Sequence, residues 1–81
     1  MTLEEAIVEI SQRVSTASPG AVLRVTRVSD EEASIRAYAP LSDEAAIKEA
    51  TLDLTIQLLT SEGIDVQVLV YDITTSLPPE E

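Results

Sequence analysis

The sequence predicts an α+β domain of order α-β-β-α-β, a two-layer sandwich with two helices on one face of a three-stranded sheet. Three observations predict it. Two stretches place apolar residues at helical spacing. Three others are rich in β-branched residues or alternate apolar with polar. Pro and Gly punctuate the joins. At 81 residues the chain has room for one domain. We expect that domain over 1–73 and a disordered acidic tail over 74–81, which holds Pro78-Pro79 and two terminal acids.

The first helix is expected over Leu3–Ala17. Thr2 and Glu5 fit a capping box, in which the hydroxyl meets the Glu5 amide and the carboxylate reaches back. Leu3, Ala6, Ile7, Ile10, Val14 and Ala17 fall on one stripe, and Val8 sits off it. Glu9 and Arg13 stand one turn apart, a favourable ion-pair spacing. Ser18-Pro19-Gly20 stops the helix.

Two strands follow, over 21–28 and 33–39. In the second, Ala33, Ile35, Ala37 and Ala39 face one way and Ser34, Arg36 and Tyr38 the other. The short link Ser29-Asp30-Glu31-Glu32 predicts a hairpin. Pro40 ends the second strand.

A second helix is expected over 43–62, with Ser42 as N-cap and Gly63 just past its C-terminus, where Ile64 supplies the apolar contact of a Schellman-type stop. Glu44 and Lys48 are again one turn apart. At about 100° per residue, Ile47, Ala50, Leu54 and Leu58 share one face, while Ala45, Leu52, Ile56 and Leu59 share nearly the opposite one. Glu49, Asp53 and Gln57 separate the stripes on one side, and Glu44, Lys48, Thr51 and Thr55 on the other. A helix with two stripes needs two neighbours. We expect the second stripe to pack on the first helix; otherwise it is a second contact surface. The last strand, over 64–73, shows Ile64, Val66, Val68 and Val70 on one face and Asp65, Gln67, Leu69, Tyr71 and Ile73 on the other. Whether it lies beside the first or the second strand stays open. Beside the second, it would pair parallel through a right-handed crossover.

Composition excludes much chemistry. Cysteine and histidine are absent. There is thus no disulfide, thiolate metal site or cysteine nucleophile, and no imidazole base or ligand. No serine or threonine has a histidine to activate it. Gly20 and Gly63 are the only glycines, so no glycine-rich phosphate loop exists. Carboxylates are the remaining acid–base groups. The Glu49–Asp53 pair reads as a solvated helix face, and Asp30-Glu31-Glu32 lacks calcium-loop spacing and reads as a solvated turn. We expect no enzyme, no cofactor and no metal site. No apolar run approaches the roughly 20 residues that span a bilayer. The Met-Thr-Leu-Glu-Glu start has no basic or apolar leader region. The expectation is a cytoplasmic protein.

Two helices on one face leave the other face of the sheet open. Alternation puts Arg24, Thr26, Arg36, Tyr38, Gln67, Leu69, Tyr71 and Ile73 there, including both tyrosines of the chain. A mixture of aromatic, aliphatic and arginine side chains on an acidic protein has the composition of a protein interface. The candidate interface is therefore Arg24, Arg36, Tyr38, Leu69, Tyr71 and Ile73. Fifteen acids against five bases give a net charge of −10. The span 21–40 is neutral, whereas 41–63 carries −4. Such a field repels nucleic acid and anionic membranes. The expected partner is a protein or a second copy of the chain.

The α-β-β-α-β order resembles three small families at the level of the fold. One is the type II KH RNA-binding domain, whose mark is a GxxG loop clamping the nucleic-acid backbone. This chain has Pro40-Leu41-Ser42-Asp43 at the equivalent stretch. The likeness implies, as an alternative function, nucleic-acid binding through the hairpin arginines, and the missing loop and the net charge weigh against it. Residues 4–73 are also similar to the C-terminal scaffold domain of NifU-type iron–sulfur assembly proteins, without that family's Cys-x-x-Cys. The order further resembles the ring-building motif of secretion and sporulation proteins, which implies self-association.

Overall fold

The computed structural model describes residues 1–75. Its first helix, α1, spans Leu3–Ala17. The capping box forms: the Glu5 N–H donates to Thr2 Oγ1 at 3.2 Å, and the Thr2 N–H donates to Glu5 Oε1 at 2.9 Å. Bonds from the Thr2 backbone and side chain hold the Glu5 carboxyl below its ordinary value. The ionised half of the box is thus in place above the usual Glu range and is lost as pH falls through that lowered value. Replacing Thr2→Ala should cost about 1 kcal/mol. A thermal melt would then show a midpoint about 4–8 °C lower, and an unchanged midpoint would mean that the cap contributes nothing.

Strand β1 covers Val22–Arg27 and strand β2 covers Glu32–Ala39. They pair antiparallel, Val22 opposite Tyr38 and Arg27 opposite Ala33. One turn of 3-10 helix, Leu41–Asp43, leads into helix α2, Glu44–Glu62. Strand β3 covers Asp65–Asp72 and pairs parallel to β2, so the sheet order is β1-β2-β3. The position left open by the sequence is thereby settled: β3 lies beside β2. At the foot of α2, Gly63 adopts the left-handed conformation, φ 68°. The Gly63 N–H donates to the Leu58 carbonyl across six residues, and the Ile64 N–H donates to the same carbonyl at 3.1 Å, which closes the end of α2.

The core lies between the sheet and both helices. Leu3, Ala6, Ile10 and Val14 of α1 meet Ala33, Ile35, Ala37 and Ala39 of β2, with Ile47, Leu54 and Leu58 of α2 and Ile64 and Val66 beside them. Three alanines on β2 leave room for the large aliphatics of the helices, as interdigitation requires.

Three expectations need correction. Ser42 is not the cap of α2: it sits within the 3-10 turn, and Asp43 stands at the N-cap without a side-chain capping bond. Asp43 instead accepts a hydrogen bond from the buried Ser18 hydroxyl at 2.7 Å, which ties the end of α1 to the start of α2. The second stripe of α2 does not pack on α1. Leu52, Ile56 and Leu59 are each more than half exposed, because α1 lies on the Ala50 flank, where Arg13 reaches the Ala50 carbonyl at 3.4 Å. Thr51, placed by the sequence among the polar separators, is buried, its hydroxyl donating to the Ile47 carbonyl at 2.9 Å. Of the expected tail 74–81, Thr74 and Thr75 turn back on Asp72, and 76–81 lies outside the described residues.

Candidate functional site

The helix-free face of the sheet is ordered by register into rows that run across the strands. Val22, Tyr38 and Tyr71 form the first row. Arg24, Arg36 and Leu69 form the second, and Thr26, Ser34 and Gln67 the third. Each row follows from the two-residue period of a strand, which returns side chains to the same face at every second position. The register thus brings together five of the six residues singled out by the sequence. The sixth, Ile73, lies just past the end of β3, half-buried, its N–H donating to the Ala39 carbonyl at 3.0 Å.

Within the first row the two tyrosine rings stack, centroids 5.3 Å apart at an interplanar angle of 21°. Tyr38, on the central strand and flanked by Val22 and Tyr71, is only 5% exposed, whereas Tyr71 on the edge strand is 37% exposed. Tyr38 is therefore the floor of the face, and Tyr71 is its exposed ring. Leu69 is exposed beside it. Sequence reasoning missed Val22, which closes the tyrosine row. Its spacing of two from Arg24 and of four from Thr26 was the available signal.

The second row sets two guanidinium groups on directly opposed positions. Like charges across a strand pair are unfavourable by themselves. Arg24 donates to the Leu23 carbonyl at 3.0 Å. Arg36 makes no hydrogen bond or ion pair among the described residues. The third hairpin arginine, Arg27, lies on the helix face, where it pairs with Glu4 of α1. Hydrogen bonding by Arg27 holds the Glu4 carboxyl below its ordinary value.

The carboxylates are dispersed. Glu49 and Asp53 stand exposed on α2, and Asp30 and Glu31 in the hairpin turn. Among the described residues no three of them converge as a metal site would require. No helix is long and apolar enough to cross a membrane among the described residues.

Among the described residues this face is a ledge of apolar and guanidinium groups. The chain matches no known protein family, no characterised protein and no solved structure. The reading of this face rests on its own residues.

Proposed function

We propose that the chain is a small non-catalytic interaction module that docks a protein partner, or a second copy of itself, through the helix-free face of its sheet. One observation carries the proposal: Arg24, Arg36 and Leu69 lie in a row beside the Tyr38–Tyr71 stack on a face that no helix covers. Aromatic and arginine side chains at the centre of a patch supply most of the energy of a typical interface. The Arg36 guanidinium suits a carboxylate on the partner. The cytoplasm is the compartment this proposal assumes.

Nucleic acid fits less well. Arg27 is committed to Glu4 on the opposite face, and the net charge of −10 opposes approach to phosphates.

The test compares Arg36→Glu and Leu69→Glu with the parent chain. Both positions lie on the ledge outside the core, so the fold should survive. Tyr71→Glu is a less clean probe, because loss of the ring stack should itself cost about 0.5–1.5 kcal/mol. Association, read by light scattering for self-association or by titration for an isolated partner, should weaken at least about tenfold in each variant. Association of undiminished strength in both would sink the proposal.

A further inference from the structure

The two edges of the sheet differ. β1 offers six residues, three of them beyond Leu23 polar or charged. β3 offers eight, and between Asp65 and Asp72 it reads Val-Gln-Val-Leu-Val-Tyr, with no charge, proline or glycine. Its register with β2 runs without a bulge from Asp65 to Asp72. Exposed edge strands usually carry one of these devices, which stop a further strand from adding.

The ladder shows where the backbone groups of β3 point. The Asp65 N–H donates to the Glu31 carbonyl at 2.8 Å, and the Ile73 N–H to the Ala39 carbonyl at 3.0 Å. Alternate residues of a parallel strand bond to the neighbour. Asp65, Gln67, Leu69, Tyr71 and Ile73 therefore direct N–H and C=O groups at β2, and Val66, Val68 and Val70 direct theirs to the free edge. A shallow groove follows this edge, with Lys48, Thr51, Leu52 and Thr55 of α2 as its other wall. Leu52 also belongs to the exposed stripe with Ile56 and Leu59.

We propose that β3 of a second copy adds antiparallel to this edge, so that two sheets join into one of six strands and the exposed stripes of the two α2 helices cover each other. This surface is the backbone edge of β3, whereas the ledge is the helix-free face, to which β3 contributes Leu69 and Tyr71. Outward backbone groups call for an extended strand as occupant. A second copy supplies that strand and, through the same two-fold axis, a second leucine stripe, which makes the contact self-complementary. The register also permits it. Outward residues must meet outward residues, and an axis through Val68 sets Val68 opposite its counterpart, Val66 opposite Val70 and Gln67 opposite Leu69. Asp65 then faces Tyr71 and Asp72 faces Ile64, so no carboxylate opposes another. Two copies at −10 each repel at long range, so added salt should favour the pair.

The experiment combines light scattering of the full chain, up to about 1 mM protein in about 0.5 M sodium chloride, with amide hydrogen exchange by NMR on the same samples. The expected result is twice the monomer mass, with the Val68 and Val70 amides slowed at least about tenfold relative to a dilute monomeric sample. Leu52→Glu, on an exposed position, should return the mass to monomer while melting at the temperature of the dilute, monomeric parent. A monomer at every concentration and salt level would overturn the inference. So would a dimer in which the Val68 and Val70 amides exchange as fast as in the monomer, since another surface, such as the ledge, would then hold the pair.

Discussion

Ile35→Ala is expected to bring the domain close to unfolding at ambient temperature. Ile35 stands at the middle of the central strand, with Val25 and Val68 opposite it on the two neighbours. Its side chain is fully buried beneath the helices. Truncation removes three carbon atoms and leaves a void that the flanking alanines, Ala33 and Ala37, are too small to fill. Buried Ile→Ala changes cost about 2–5 kcal/mol, and the alanine-rich surroundings argue for the upper half of that range. A chain of this length has a total stability of roughly 4–12 kcal/mol. Urea titration should show the midpoint falling by a third or more with little change in slope. A drop below about 1 kcal/mol would mean that the core relaxes around the void.

Ser18→Ala should have the next largest effect, about 1.5–3 kcal/mol, the range for a hydrogen bond to a charged group. Ser18 is buried and its hydroxyl reaches Asp43 Oδ2 at 2.7 Å. That bond joins two chain ends far apart in sequence, the last turn of α1 and the entry to α2. Removing the hydroxyl leaves a half-buried carboxylate short of a donor. Pairing it with Asp43→Ala in a double-mutant cycle isolates the interaction, because each single change removes the hydrogen bond. A Ser18→Ala melt indistinguishable from the parent would show that water replaces the hydroxyl without penalty.

The elements that sequence specified well are those set by neighbours along the chain. Thr2 and Glu5 are three residues apart, so their box depends on nothing distant, and α1 spans the expected residues. The alternation of Ala33, Ile35, Ala37 and Ala39 likewise marks its own buried face. Gly63 marks the end of α2 through its own backbone conformation. What was not legible depends on partners remote in sequence. Ser42 has the chemistry of a cap, but the entry to α2 is set by Ser18, which engages Asp43. The outer stripe of α2 has the spacing of a packed face, yet its fate depends on how many strands lie beneath that flank. The hydropathy pattern places Thr51 among the polar separators because a hydroxyl's ability to bond back to its own helix, here to Ile47, leaves no trace in it. On the ledge, alternation identified the face, and only the register of both strand pairs showed that Tyr38 is covered while Tyr71 is open.

The central placement of β2 has a consequence for the order of events in folding. Its pairing with β1 closes across the short turn at 28–31, a loop that costs little entropy to form. Its pairing with β3 must wait for the whole stretch 40–64, with α2 in it, to be made and laid across the sheet. Non-local parallel pairing is the slow kind. During synthesis, a chain that has emerged only as far as the middle of α2 presents the hairpin with the second edge of β2 open, Ile35 and three alanines beside it. That interval, rather than the finished fold, is when the hairpin is most exposed to pairing with the wrong strand.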